Sequence, residues 1–309
     1  MKWLIDIAMH IGQFISSPAA NLPDLGLPTD PLLISDDDIE NAAQDARRYW
    51  GMGDSPIGNM ILLLENQGVF TARLELGAES LDSLSMLDPE DGRPYIILGT
   101  DKGTAVRWRF DAAHELGHLL LHQHVNKRIL ARTADFKRIE EQAHRFAAAF
   151  LLPMEPFCED LFAVSLDAMR AMKPRWKVSI ALMIMRARQA GFLSEEAEKR
   201  LWTNLSRRQW RRQEPYDLEM PAEEPRLLRR ATEMLLSSGM QTIEDLTANT
   251  QLSSADIERL VGFPLGYLTN DFTPINIIQR QPINTPSQSG ASARVIQLKS
   301  RKNETDHNA

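Results

Sequence analysis

The sequence predicts an α+β fold: a small antiparallel sheet and two long helices, followed by a mostly helical C-terminal module. Three observations carry that expectation. Strand-like segments lie ahead of residue 100, two strongly helical runs follow at 104–124 and 137–151, and helix-period segments continue to about residue 272. The first strand is the clearest by pattern. VFTARLEL at 69–76 alternates, setting Val69, Thr71, Arg73 and Glu75 against Phe70, Ala72, Leu74 and Leu76. LDSLSML at 81–87 is a weaker strand. PYIILGT at 94–100 is stronger, and the Asp91-Gly92 pair before it suits a tight turn.

The helices have identifiable starts and stops. Residues 1–16 form a short helix with Trp3, Ile7 and Ile11 on one side. Pro18, Pro23, Pro28 and Pro31 then make an extended linker. Asp36, Asp37 and Asp38 open a helix that runs to Trp50, where acidic side chains suit the positive end of the helix dipole. A second helix covers 57–67 and stops at Gly68. Beyond Pro153, helices are expected at 157–172, 177–193 and from Ser194 to Trp210. These boundaries divide the chain into an N-terminal helix and linker at 1–35, a central domain at 36–155, a helical module at 156–272 and a tail at 273–309. The tail is rich in Pro, Ser, Thr, Asn and Gln and is expected to have little fixed structure.

Composition narrows the function classes. The 43% hydrophobic and 25% charged content is that of an ordinary soluble globular protein, and the net charge of −7 argues against a chain that grips nucleic acid over its whole surface. The single cysteine, Cys158, excludes a disulfide framework within the chain and argues against a cysteine-based metal site. There is no signal-peptide pattern at MKWLIDIAMH and no apolar run long enough for a membrane, so a cytoplasmic location is expected.

The chemistry concentrates in DAAHELGHLLLHQH at 111–124. His114 and His118 stand four apart on a helix, one above the other, so both imidazoles can reach one metal ion. Glu115 lies beside them, where its carboxylate can hold and deprotonate a water. Zinc is the expected ion for two imidazoles, a carboxylate and a water. The third ligand is sought on the helix RIEEQAHRFAAAFLLP at 138–153, where Glu140 is preferred and Glu141 is the rival. Alanines 147–149 permit that helix to pack closely on the first, as does Gly117. His122, one turn past His118, either orients a ligand or is an exposed or core histidine. An oxyanion donor is sought in His144, His124 or the 125–136 connection, which is expected to fold over a cleft. The strand at 94–100 is expected to offer an edge to a substrate strand.

HELGHLLLH at 114–122, followed by ExxAxxFAAxxLLP from Glu140, resembles the ImmA/IrrE family of HExxH metallopeptidases over about residues 37–155. The resemblance implies a zincin-like core, Zn2+ held by His114, His118 and Glu140, and Glu115 as the group that activates water. It departs from the family at His144, usually Asn, and at Leu152, usually Met. The resemblance further implies an endopeptidase that cleaves an intracellular regulatory protein, such as a helix-turn-helix transcriptional repressor or an antitoxin-like partner, in transcription regulation or stress response. Many members carry a helix-turn-helix domain ahead of the peptidase part, and no complete module of that kind is found before residue 36. The alternative is a non-catalytic regulator that keeps the fold and binds a protein partner or DNA. Arg200, Arg207, Arg208 and Arg211, interleaved with Trp202 and Trp210, supply a basic face. That face suits a solvated helix, an acidic protein partner or DNA.

Overall fold

The computed structural model describes residues 1–77, 81–101, 103–123, 125 and 132–269. The expected tail at 273–309, His124 and residues 126–131 of the connection lie outside the described residues. Those that are described fall in the compact unit Met1–Pro274. Its chain order is α1 (Lys2–Gly12), α2 (Asp36–Tyr49), α3 (Met60–Asn66), β1 (Phe70–Leu74), β2 (Ser83–Leu87), β3 (Pro94–Gly99) and α4 (Ala105–Leu121). Then follow α5 (Thr133–Leu151), α6 (Met154–Asp160), α7 (Leu166–Trp176), α8 (Ile180–Gln189), α9 (Glu195–Arg207), α10 (Leu227–Ser237), α11 (Ile243–Thr250) and α12 (Ser254–Val261). None of these helices is long and apolar enough to cross a membrane.

This is an α+β fold with a small sheet ahead of a largely helical region. The sheet is mixed, with β3 at its centre in the order β1-β3-β2. The β2–β3 pair is antiparallel, joined through Asp91-Gly92, with Met86 opposite Tyr95. The β1–β3 pair is parallel, with Phe70 opposite Tyr95. Strand pairing is set by contacts remote in sequence, which alternation within one strand does not encode. The expected edge at 94–100 is therefore corrected: β3 is paired on both sides, and β1 and β2 are the edges among the described strands. The helix expected at 157–172 is two, because the chain bends between α6 and α7 and Ser165 restarts the helix by accepting from the Ala168 amide. Helix α5 starts at Thr133, earlier than expected, so part of the predicted connection is helical.

Each face of the sheet has its own apolar layer. Ile96 and Leu98 point into a core built with α2 to α8, including Ala113, Leu116, Phe146 and Phe150. Phe70, Ala72, Tyr95 and Ile97 point the other way, onto α1, α10, α11 and α12. Apolar contacts thus run from residue 4 to residue 268 across the points at 35 and 155. A buried polar clasp reinforces this. Glu223 accepts from the Met60 and Ile61 amides at the start of α3 and pairs with buried Arg109 of α4. Glu65 of α3 accepts in turn from the Arg226 and Leu227 amides at the start of α10.

Helices α4 and α5 meet at Gly117. A β-carbon there would lie 3.2 Å from Phe146 Cδ1 and 3.3 Å from both Cα and O of Ala143. Two of those atoms are backbone, so the helix itself must shift to make room. The far end of α5 is pinned by buried arginines. Arg47 donates to the Phe150 carbonyl at 2.7 Å and Arg186 to the Leu152 carbonyl at 3.1 Å, satisfying acceptors that a helix end leaves open. Overpacking typically costs about 1–3 kcal/mol, and alanine returns about 1 kcal/mol of helix propensity. Gly117→Ala is therefore expected to lower stability by about 1 kcal/mol, read by urea unfolding. A midpoint at or above that of the parent would show that the helices are not in tight contact.

Candidate metal centre

Helix α4 is capped by Thr104, whose side chain accepts from the Arg107 amide, and it carries the HExxH run through its last two turns. His114 and Glu115 are buried and His118 is partly so. Helix α5 brings Glu140 against them. His114 Nε2 lies 3.0 Å from His118 Nε2 and 3.3 Å from Glu140 Oε2, and His118 Nε2 lies 3.4 Å from Glu140 Oε1. Donors around a tetrahedral zinc, each about 2.0–2.1 Å from the ion, lie about 3.3 Å apart. The three side chains therefore fit one metal ion, and His114, His118 and Glu140 form such a group among the described residues. Hydrogen bonds from His114 and then His118 hold the Glu140 carboxyl far below the usual carboxylate range. Glu141, the rival third ligand, pairs outward with Lys137.

The cleft around these groups has a volume of about 600 Å3. Edge strand β2 forms one wall, and Phe136 and Ile139 of α5 contribute to the other. The Ser83 hydroxyl of β2 donates to Glu115 Oε1 at 2.6 Å, and Ser85 Oγ donates to the Glu115 carbonyl at 3.4 Å. Strand β2 thus fixes the Glu115 side chain as well as shaping the opening. His144 lies on the opposite side of His114, with ring centroids 4.5 Å apart, and stacks on Phe110 at 5.5 Å. It keeps one side open to the cleft, yet the desolvation from its neighbours pushes its pKa down to about 4. His122 is buried between His118 and Gln142, and burial lowers its pKa to about 4.

The basic segment is partly consumed by contacts within the chain. Arg208 makes a two-pronged pair with Asp167, at 2.7 and 3.0 Å, and lies over the Trp210 ring. Arg211 lies over Trp202, and Arg200 donates to the Glu196 carbonyl. Arg207 is exposed.

Three residues of the site escaped the sequence reading: Ser83, Gln142 and Asp111. Ser83 stands on the strand with the weakest pattern, and Gln142 sits unremarked between Glu140 and His144. Asp111 opens the DAAHELGH stretch, and its place one turn ahead of His114 was the available signal. Its carboxylate pairs with Arg107 at 2.9 Å and lines the cleft.

An α+β core with a His-His-Glu group and a neighbouring glutamate, opening on an edge strand, has the parts of a metallopeptidase. Residues 64–188 match the Peptidase_M78 family, described as the IrrE N-terminal-like domain. The sheet, α4, α5 and the whole His114, His118 and Glu140 group lie within that IrrE-like domain. No curated protein matches the chain. Among solved structures, a Mycobacterium tuberculosis transcriptional regulator aligns with 60% of this chain at 14% identity and a TM-score of 0.36. The alignment covers 51% of that protein, so this chain spans about half of its length, and so remote a likeness carries no argument about function.

Burial raises the Asp111 pKa from 3.8 to about 6. An acid whose folded pKa lies above its unfolded value binds more protons when folded. The protein therefore loses stability as pH rises through that window and keeps the loss above it. Asp111→Asn is expected to stabilise the protein by about 1–2 kcal/mol at pH 7.5, with the gain vanishing near pH 4. Thermal unfolding of both proteins across pH 4–8, at matched zinc content, checks this. A gain that does not change with pH would show that burial does not raise the Asp111 pKa.

Proposed function

We propose that this chain is a zinc-dependent endopeptidase acting on a specific intracellular regulatory protein, such as a transcriptional repressor or an antitoxin-like partner. The observation that carries the reading is the convergence of His114, His118 and Glu140 beside Glu115 in a cleft bordered by an edge strand. His114, His118 and Glu140 would hold the ion. Bound zinc supplies a Lewis acid that polarises the scissile carbonyl and makes water more acidic. Glu115 takes the proton from the attacking water and returns it to the leaving amine. Ser83 holds Glu115 Oε1, which leaves Oε2 to carry that proton. His144, neutral and open to the cleft, donates a hydrogen bond to the developing oxyanion.

The cleft also bears on the substrate. Strand β2 is paired with β3 on one side, and its other edge borders the site, so an extended segment of a protein substrate adds to it through backbone hydrogen bonds. Backbone pairing is indifferent to sequence. Selectivity for one partner therefore comes from side-chain contacts around the cleft and from the partner's own folded surface. The family match over residues 64–188 supports the same reading.

Protein purified without chelators is expected to contain about one zinc per chain, the capacity of a single structural or catalytic site. His114→Ala should remove the metal while the protein keeps its circular dichroism. Glu115→Gln should keep the zinc and lose cleavage of the regulator that co-purifies from native lysate, by about 100-fold or more. Zinc-free protein sinks the metal site. Full zinc with equal, undetectable cleavage by parent and variant favours a non-catalytic regulator that only holds its partner.

A further inference from the structure

A continuous hydrogen-bonded chain runs from His118 to the main chain of the linker ahead of α2. His118 Nδ1 lies 2.9 Å from His122 Nδ1, and His122 Nε2 lies 3.0 Å from Gln142 Oε1. Gln142 Nε2 donates to the Pro31 carbonyl at 2.8 Å and to the Ile34 carbonyl at 3.1 Å. Those carbonyls are themselves fixed. Pro31–Leu33 form a short 3-10 turn capped by Asp30, and Ser35 begins α2 with a reciprocal cap to Asp38. Gln142 is almost fully buried, at 1% exposure, so the chain is shielded from water.

The proton positions follow one from another. Two carbonyl acceptors face one end of the Gln142 amide, so that end is its NH2 and the other is its oxygen. The oxygen needs a donor, so His122 Nε2 carries a hydrogen. His122 is buried and has no carboxylate among its hydrogen-bond partners in the described residues, so a second proton would be an uncompensated buried charge. Its Nδ1 is therefore a bare acceptor. His118 Nδ1 must supply the hydrogen to it, so the position of His118 that a metal ion can take is Nε2, the nitrogen facing His114 and Glu140, whether or not it holds a proton in the metal-free site. Among the described residues no such chain fixes His114, whose buried Nδ1 has no hydrogen-bond partner there.

We propose that His122 and Gln142 are positioning residues that lock His118 in the tautomer able to accept a metal ion, with the Pro31 and Ile34 carbonyls as the anchor. This rests on the metal-site reading for its purpose, but the proton order stands on the protein's own contacts. It also gives the proline-rich linker a part in the site: the linker ends in the two acceptors that decide which way Gln142 faces.

The test uses the full chain labelled with 15N-histidine. Long-range 1H–15N spectra of the metal-free protein report which nitrogen of each ring is protonated. His118 is expected as the Nδ1–H form and His122 as the Nε2–H form. Gln142→Leu should let His118 populate both forms and weaken zinc binding, by chelator competition, about 10–100-fold. If Gln142→Leu fails to fold, the wild-type tautomers decide the matter alone. His118 found as the Nε2–H form overturns the proposal, and so does a folded Gln142→Leu protein with unchanged zinc affinity. A wild-type protein that shows both expected tautomers yet takes up no zinc supports the relay and removes the metalloenzyme reading, so the two failures are distinguishable.

Discussion

The contact between α4 and α5 at Gly117 is the constraint on which the rest of the structure depends. The two histidines come from one helix and the glutamate from the other, so the separation of the helices sets the separation of the donors. Helix–helix distances usually run from about 8 to 10 Å according to the side chains at the crossing. Glycine facing Ala143 brings the backbones together, and Ala147 and Ala148 keep the surface of α5 low beyond that point. The arginines at the end of α5 act on the same geometry from a distance. They satisfy its last carbonyls and hold the helix along its axis. The packing then brings Glu140 level with His114 and His118, within reach of its carboxylate.

What the sequence made legible was local. A spacing of four on one helix is enough to put His114 over His118, and the same logic on the next helix picks out Glu140. Ser194 marks a helix start because a cap bonds within three residues of itself. What stayed hidden was carried by partners far along the chain. Ser83 reaches Glu115 across 32 positions and Gln142 reaches Pro31 across 111, and no period or motif announces such pairs. The parallel pairing of β1 with β3 has the same character. Alternation told which residues of β1 share a face, with Phe70 and Ala72 set against Val69, but it carries no information on which strand lies beside which.

His144 illustrates a different limit. Its residue type was visible as a departure from the family pattern, while its consequence depended on surroundings. Packed on Phe110 and next to His114, the ring is pushed toward its neutral form, so it enters the site as a hydrogen-bond donor and acceptor with no charge of its own. A neutral ring would not repel a cation bound at the neighbouring His114, His118 and Glu140.

The two-faced sheet has a consequence for how the molecule can be divided. The matched stretch at 64–188 includes every strand, yet it supplies cover for only one side of them. Phe70, Ala72, Tyr95 and Ile97 would be laid bare in such a fragment, since α1 and α10 to α12 come from outside it. The domain recognised by pattern is thus smaller than the unit that buries both faces of the sheet. Helices α1 and α10 to α12 act as a fitted cover on its apolar back, so they belong to the architecture of the sheet even though they lie outside the matched stretch.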